Sequence, residues 1–164
     1  MTADPGGKVP ALPQDFRPLG VRIAVLAFGT ALLVTTAAIW FTFPDEVQEQ
    51  FTPIQRMTVG IMGLGVAAIG YALARCRVRA ADDGVTVVNG YRSRHFDWEE
   101  VVDVTLRPGN PWAVLDLADG TSASALGIQG SDGGRAQRQV RTLKALVEQH
   151  AGAEPPRRPE PPAS

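Results

Sequence analysis

The chain has 164 residues, with 16 Lys and Arg against 17 Asp and Glu and a net charge of −1. So balanced a charge argues against nucleic-acid binding, whose affinity comes mainly from phosphate neutralisation. The single cysteine, Cys76, excludes an internal disulfide and a multi-cysteine zinc site.

Residues 1–20 carry Pro5, Gly6, Gly7, Pro10, Pro13 and Pro18 and read as a disordered arm. No cleaved signal is expected, because the apolar stretch that follows starts too late and runs too long. Two uncharged apolar stretches come next, Ile23 to Phe43 and Met57 to Ala74. A helix needs about 20 apolar residues to cross a bilayer core. The expected spans are residues 21–43 and 57–75, joined by a short extracytoplasmic loop, 44–56. Lys8, Arg17 and Arg22 precede the first apolar stretch, and Arg75, Arg77 and Arg79 follow the second. The loop holds Asp45, Glu46 and Glu49 against Arg56 alone. The positive-inside bias thus places both termini in the cytoplasm, at the cell membrane. Trp40, Phe41 and Phe43 suit an interfacial aromatic belt. Neither apolar stretch, Ile23 to Phe43 or Met57 to Ala74, holds an Asp, Glu, Lys, Arg or His of the kind that marks an ion pathway, which argues against a transporter. Gly63, Ala67, Gly70 and Ala74 share one face of the second span, as small residues do where helices pack in lipid. The short connector favours packing on the first span; a homodimer through the second is the alternative.

Residues 76–150 make one small domain with ten basic and ten acidic residues counted from Arg75. A short strand is expected at Val78 to Ala81, before an Asp83-Gly84 turn. Val85 to Val88 leads into Asn89-Gly90, a strong hairpin signal, with Tyr91 to Phe96 returning. Val101 to Leu106 alternates, with Val102, Val104 and Leu106 on one side. Trp112 to Leu117 and Thr121 to Leu126 flank an Asp119-Gly120 turn. About six antiparallel strands result. A helix from Gly133 to His150 presents Ala136, Val140, Leu143 and Val147 as one apolar stripe. Asp132 is its expected N-cap. Residues 151–164, rich in proline, are expected to be a disordered tail.

The segment DDGVTVVNGYRSRHFDWEEVVDVTL, placed after two spans, resembles the small bacterial PH-domain membrane proteins of high-GC Gram-positive bacteria, some named low-molecular-weight protein antigens. Gly84, the Asn89-Gly90 turn, Trp98 and Val101 carry the likeness. It implies an α+β chain: a two-helix transmembrane hairpin, then a PH-like antiparallel split barrel capped by a C-terminal helix. The resemblance supplies no catalytic residue. Eukaryotic phosphoinositide-binding PH domains place a basic motif around the first hairpin. Arg92-Ser93-Arg94 resembles its second half, but Gly84 to Val88 lacks the upstream basic residue.

No arrangement for catalysis, cofactor or metal emerges. His95 and His150 are isolated, and Cys76 reads as a packing residue. Asp97, Glu99, Glu100 and Asp103 lie at a strand start, where polar turns are ordinary. The glycines from Gly127 to Gly134 lack the Lys-Ser/Thr and parallel strand of a phosphate loop. Arg135, Arg138, Arg141 and Lys144 form a basic helix face, either solvated or facing anionic lipid. The expectation is a non-enzymatic interaction module at the inner membrane face that binds an unidentified protein. Thr121 to Leu126 and Val85 to Val88 are its expected docking edges. The alternative is anionic-lipid sensing through the arginines of the helix, with Arg92 and Arg94 as further contacts.

Overall fold

The computed structural model describes residues 11–151. Helix α1 (Leu19–Thr42) and helix α3 (Pro53–Ala74) are joined by the short helix α2 (Asp45–Gln50). At 1.5 Å per residue, the two long helices measure roughly 33–36 Å, enough to cross a hydrocarbon core. Both are apolar enough to span a membrane, and neither has a buried residue. Phe28, Phe41 and Ile54 are each more than 70% exposed. Apolar surface on that scale requires lipid or another partner to cover it. The connector is more ordered than a loop. Thr52 and Gln55 form a capping box at the start of α3. Phe51 packs edge-on to Trp40 at 5.5 Å, and Arg56 lies over Trp40.

The expected disordered arm is partly wrong. Gln14–Phe16 forms strand β1, paired antiparallel with β2 (Arg77–Ala81), and Phe16 is buried in the core. The other expectations for residues 1–10, and those for 152–164, lie outside the described residues. β2 continues into β3 (Gly84–Asn89) and β4 (Arg92–Phe96), giving an antiparallel sheet in the order β1-β2-β3-β4. A second antiparallel sheet contains β5 (Val101–Thr105), β6 (Trp112–Leu117) and β7 (Ser122–Gln129). A single-turn 3₁₀ segment, Trp98–Glu100, connects the sheets. Among the described residues seven strands therefore replace the expected six, and β7 runs three residues beyond its expected end.

Helix α4 (Gly134–Ala151) closes the barrel with the expected stripe: Ala136, Val140, Leu143 and Val147 are all buried, with Leu146 beside them. A fully buried leucine contributes about 1.5–3 kcal/mol, so Leu143 and Leu146 are major contributors. Trp98 is 7% exposed, donates from Nε1 to the Ala81 carbonyl at 3.1 Å and stacks on His150 at 4.3 Å. His150 is thus a packing residue.

Two strand details depart from expectation. A β-bulge between Val101 and Asp103 turns Val102 outward, 63% exposed, while Val101 and Val104 both point inward. Simple alternation cannot anticipate a bulge, which adds a residue to one strand only. The first hairpin turn is displaced by one residue. Asn89 pairs with Arg92, so Gly90 and Tyr91 are the two central residues, and only Gly90 has positive φ, at 61°. That is the sign pattern of a type II′ turn, with glycine first.

Candidate functional site: a basic joint between helices and barrel

Strand register gives the barrel two distinct ends. β2 leaves α3 at Arg77 and runs away from the helices to Ala81. β3 returns to Asn89, and β4 departs again from Arg92. The helix-proximal end therefore holds Arg75, Arg77 and Arg92. Gly130, just before α4, donates its amide to the Pro111 carbonyl, so the β5–β6 connection with Arg107 reaches the same end. Asp82, Asp83, Asp97, Glu99 and Glu100 lie at the far end. The β6–β7 turn joins them there, because Ala118 donates to the Glu100 carbonyl. A domain with balanced charge is thus polarised along its length, basic toward the helices and acidic away from them.

Three contacts hold the basic end against the helices. Asp132, the expected N-cap of α4, caps α1 instead. Its Oδ2 accepts from the Leu19 amide and its Oδ1 from the Gly20 amide, both at 2.8 Å. The residue that precedes α1, Pro18, offers no side-chain cap, so its exposed amides take a carboxylate from the other end of the chain. At the hairpin tip, the Tyr91 hydroxyl donates to the Ala68 carbonyl on α3 at 2.7 Å. Beneath it, buried Cys76 accepts from the Gly90 amide at 3.2 Å. Cys76 is thus the expected packing residue and also a tie between hairpin and helix.

The candidate site residues from the sequence divide between these ends. Arg92 is exposed at the basic end, beside Tyr91. Arg135 and Arg138 are exposed in the first turns of α4, which starts next to Asp132 and hence next to α1. Arg141 is exposed further along the helix. Lys144 is not a free cation: it donates to Asp103 at 2.8 Å. That bond holds the Asp103 carboxyl below its ordinary range and raises the Lys144 ammonium. Arg94 lines a separate cleft of about 540 Å³ with Phe96, Leu117 and Thr121. His95 accepts or donates at 3.0 Å to Thr86. Gly84, with φ of 137°, begins β3, and Val101 is buried.

The small-residue stripe is only partly used. Gly70 faces α1, where an added methyl would come within 3.1 Å of Val25. Gly63 has open space around it, and Ala67 is exposed.

Both expected docking strands need correction. Val85 to Val88 lies inside β3, paired on one side by β2 and on the other by β4, so it has no free edge. The edge of β7 is stapled at its centre. Asn89 donates from Nδ2 to the Ser124 carbonyl at 2.6 Å and accepts from the Leu126 amide at 3.0 Å. Gly127 then crosses β2 so closely that an added Cβ would lie 2.5 Å from its backbone.

Sequence reasoning also missed how Arg17 and Arg22 meet Arg75 and Arg77. Each was noted as flanking charge, but only the pairing of β1 with β2 brings the first pair to the second.

Two antiparallel sheets set across one another and closed by a C-terminal helix define a PH-like barrel, here carried behind two long apolar helices. The chain matches the bacterial PH domain model over residues 75–145 and belongs to that family. Proteins of Mycobacterium bovis and Mycobacterium tuberculosis, each bearing the name "Uncharacterized protein", are 30% identical over 127 residues, covering 77% of this chain and 76% of the relative. These are high-GC Gram-positive organisms, as the sequence resemblance implied. No solved structure matches the chain.

Proposed function

We propose that the protein is a non-enzymatic, membrane-anchored binding module whose PH-like barrel is held, basic end down, on the inner leaflet of the cell membrane. α1 and α3 span the bilayer with both termini cytoplasmic. The barrel reads the anionic lipid content of that leaflet. The observation that carries this reading is the charge polarity of the barrel. Arg92, Arg107, Arg135 and Arg138 gather at the end from which the helices leave, while the carboxylates cluster at the opposite end. Of the carboxylates near the basic end, Asp132 is engaged by the α1 amides and Asp15 by Arg17. Each basic residue near an anionic surface contributes about 1 kcal/mol, so several together make a composition-dependent contact.

Hydrogen exchange of the full-length protein in nanodiscs tests this. Segments 90–94 and 130–138 should gain protection when phosphatidylglycerol replaces part of the phosphatidylcholine. Arg135→Glu with Arg138→Glu should cancel the gain. Equal exchange in both bilayers would refute lipid reading. A periplasmic reporter active after Ala151 would refute the orientation.

One observation favours a second reading, a protein-binding scaffold. β4 is an edge strand beside the cleft lined by Arg94 and Phe96, which suits an extended peptide added to the sheet. Proline substitution at Ser93 should abolish crosslinked partners on this reading and leave lipid dependence intact.

A further inference from the structure

A cavity of about 360 Å³ lies where β1, the first turn of α1, the last turn of α3 and β2 converge. That volume is in the range of small-molecule sites. Arg17, Arg22, Arg75 and Arg77 line it, with Tyr71. Ala74 and Val88 complete it on the apolar side. Arg17 is bonded to Asp15 at 3.0 Å. Among the described residues, Arg22, Arg75 and Arg77 have no carboxylate partner.

Four guanidinium groups around one cavity repel each other, and one carboxylate leaves most of that charge uncompensated. The arrangement also orients its donors. Arg75 stacks over Tyr71 and Tyr91, at 5.7 and 5.9 Å from the ring centres. A stacked guanidinium keeps its in-plane N–H groups available to a third group, and paired N–H groups of arginine match phosphate oxygens. The ligand chemistry that fits several arginine forks, a phenol and an apolar flank is an anionic phosphate ester.

We propose that this cavity binds one phosphate group, carried by an anionic phospholipid headgroup or by a soluble phosphate ester. The lipid source rests on the reading of α1 and α3 as membrane spans, which puts the cavity at headgroup depth. The site is distinct from the first-hairpin motif of phosphoinositide-binding domains. It also differs from a diffuse basic surface, because it has one occupant and a fixed wall.

The test is native mass spectrometry of the full-length protein in detergent, titrated with phosphatidylglycerol, with phosphatidylcholine and, separately, with glycerol 3-phosphate. The expected result is saturable retention of one phosphatidylglycerol in preference to phosphatidylcholine. Arg22→Gln with Arg77→Gln should weaken it roughly tenfold or more, by removal of two forks. Ala74→Phe, which fills the cavity and removes no charge, should weaken it as well. Arg56→Gln with Arg79→Gln removes the same charge elsewhere, at two exposed positions outside the cavity, and should leave it unchanged. Near-UV circular dichroism of each variant separates lost binding from lost folding, and Ala74→Phe gives a second, charge-neutral probe if the arginine pair misfolds. Glycerol 3-phosphate binding with the same pattern of losses would support the site with a soluble ester as its ligand. Retention indifferent to the cavity variants, or weakened equally by the control pair, would overturn the cavity while leaving the basic-surface reading in place. No preference for phosphatidylglycerol, and no glycerol 3-phosphate binding, would overturn both.

Discussion

Replacing Asp132 with alanine should loosen the joint between barrel and helices without unfolding the barrel. The carboxylate accepts two amide hydrogens at the start of α1, each at 2.8 Å. Loss of an N-cap costs about 0.5–2 kcal/mol, and hydrogen bonds to a charged group lie in the upper part of the general range. The contact is solvent-accessible, which lowers its worth, so a loss of about 1–2 kcal/mol is expected. At 1.4 kcal/mol per factor of ten, the first turn of α1 should exchange its amides roughly five to thirty times faster. Hydrogen exchange of the segment 17–22 in nanodiscs measures this directly. Asp132→Asn keeps an acceptor and should fall between the two. Gly20→Ala should act from the other side of the contact, because its methyl would sit 2.8 Å from the same carboxylate oxygen. Unchanged exchange in Asp132→Ala would refute the view that this residue latches the helix to the barrel.

Other perturbations address the barrel itself. Gly84→Ala places a methyl against the Phe96 carbonyl oxygen at a φ of 137°, and should cost about 2 kcal/mol or more in thermal or denaturant melts. Asn89→Ala removes both bonds to β7 and should cost about 1–3 kcal/mol; Asn89→Asp, which sets an oxygen against the Ser124 carbonyl, should not rescue it. The Asp103–Lys144 pair has a definite pH signature. Asp103 is lowered from 3.8, chiefly by its bond to Lys144, so its contribution is present above that value and fades as pH falls toward the folded value. Lys144 is raised from 10.5, chiefly by the same bond, so its contribution is present below that value and fades as pH rises through the folded one. The stability difference between wild type and Lys144→Gln should therefore be constant between 3.8 and 10.5 and shrink outside that window. A difference that grows in acid would contradict the pairing.

What could be read from the residues depended on how local its cause was. The two apolar stretches, the β6–β7 turn and the stripe on α4 are each set by neighbours in sequence, and each has its expected place. The β2–β3 turn falls on Asp82 and Asp83, one residue before the expected Asp83-Gly84, because Gly84 already pairs with Ala81. The failures share a different cause. Asp132 precedes a helix and has the chemistry of its cap, yet the better-placed amides belong to α1, more than a hundred residues earlier. Asn89 looks like a turn residue, but the turn moves on by one and the side chain staples the far sheet. The arm that holds Gln14–Phe16 is rich in proline and reads as disordered; pairing with β2 overrides composition. The balanced charge of residues 75–150 hid a polarity that only strand direction reveals. The arginine cavity was invisible for the same reason, since its four guanidinium groups come from two stretches that meet only through β1 and the paired helices.

The central claim is that the basic end of the barrel faces the bilayer. Site-directed spin labelling of the full-length protein in phosphatidylglycerol-containing nanodiscs tests it most directly, with one label at Arg92→Cys and another at Asp83→Cys. Native Cys76 is 1% exposed and will not compete for the label. Power saturation against a lipid-soluble and a water-soluble relaxant reports the depth of each. The account predicts a label at position 92 at headgroup depth and a label at position 83 in bulk water. Equal water exposure at both positions, or the reverse order, would contradict it.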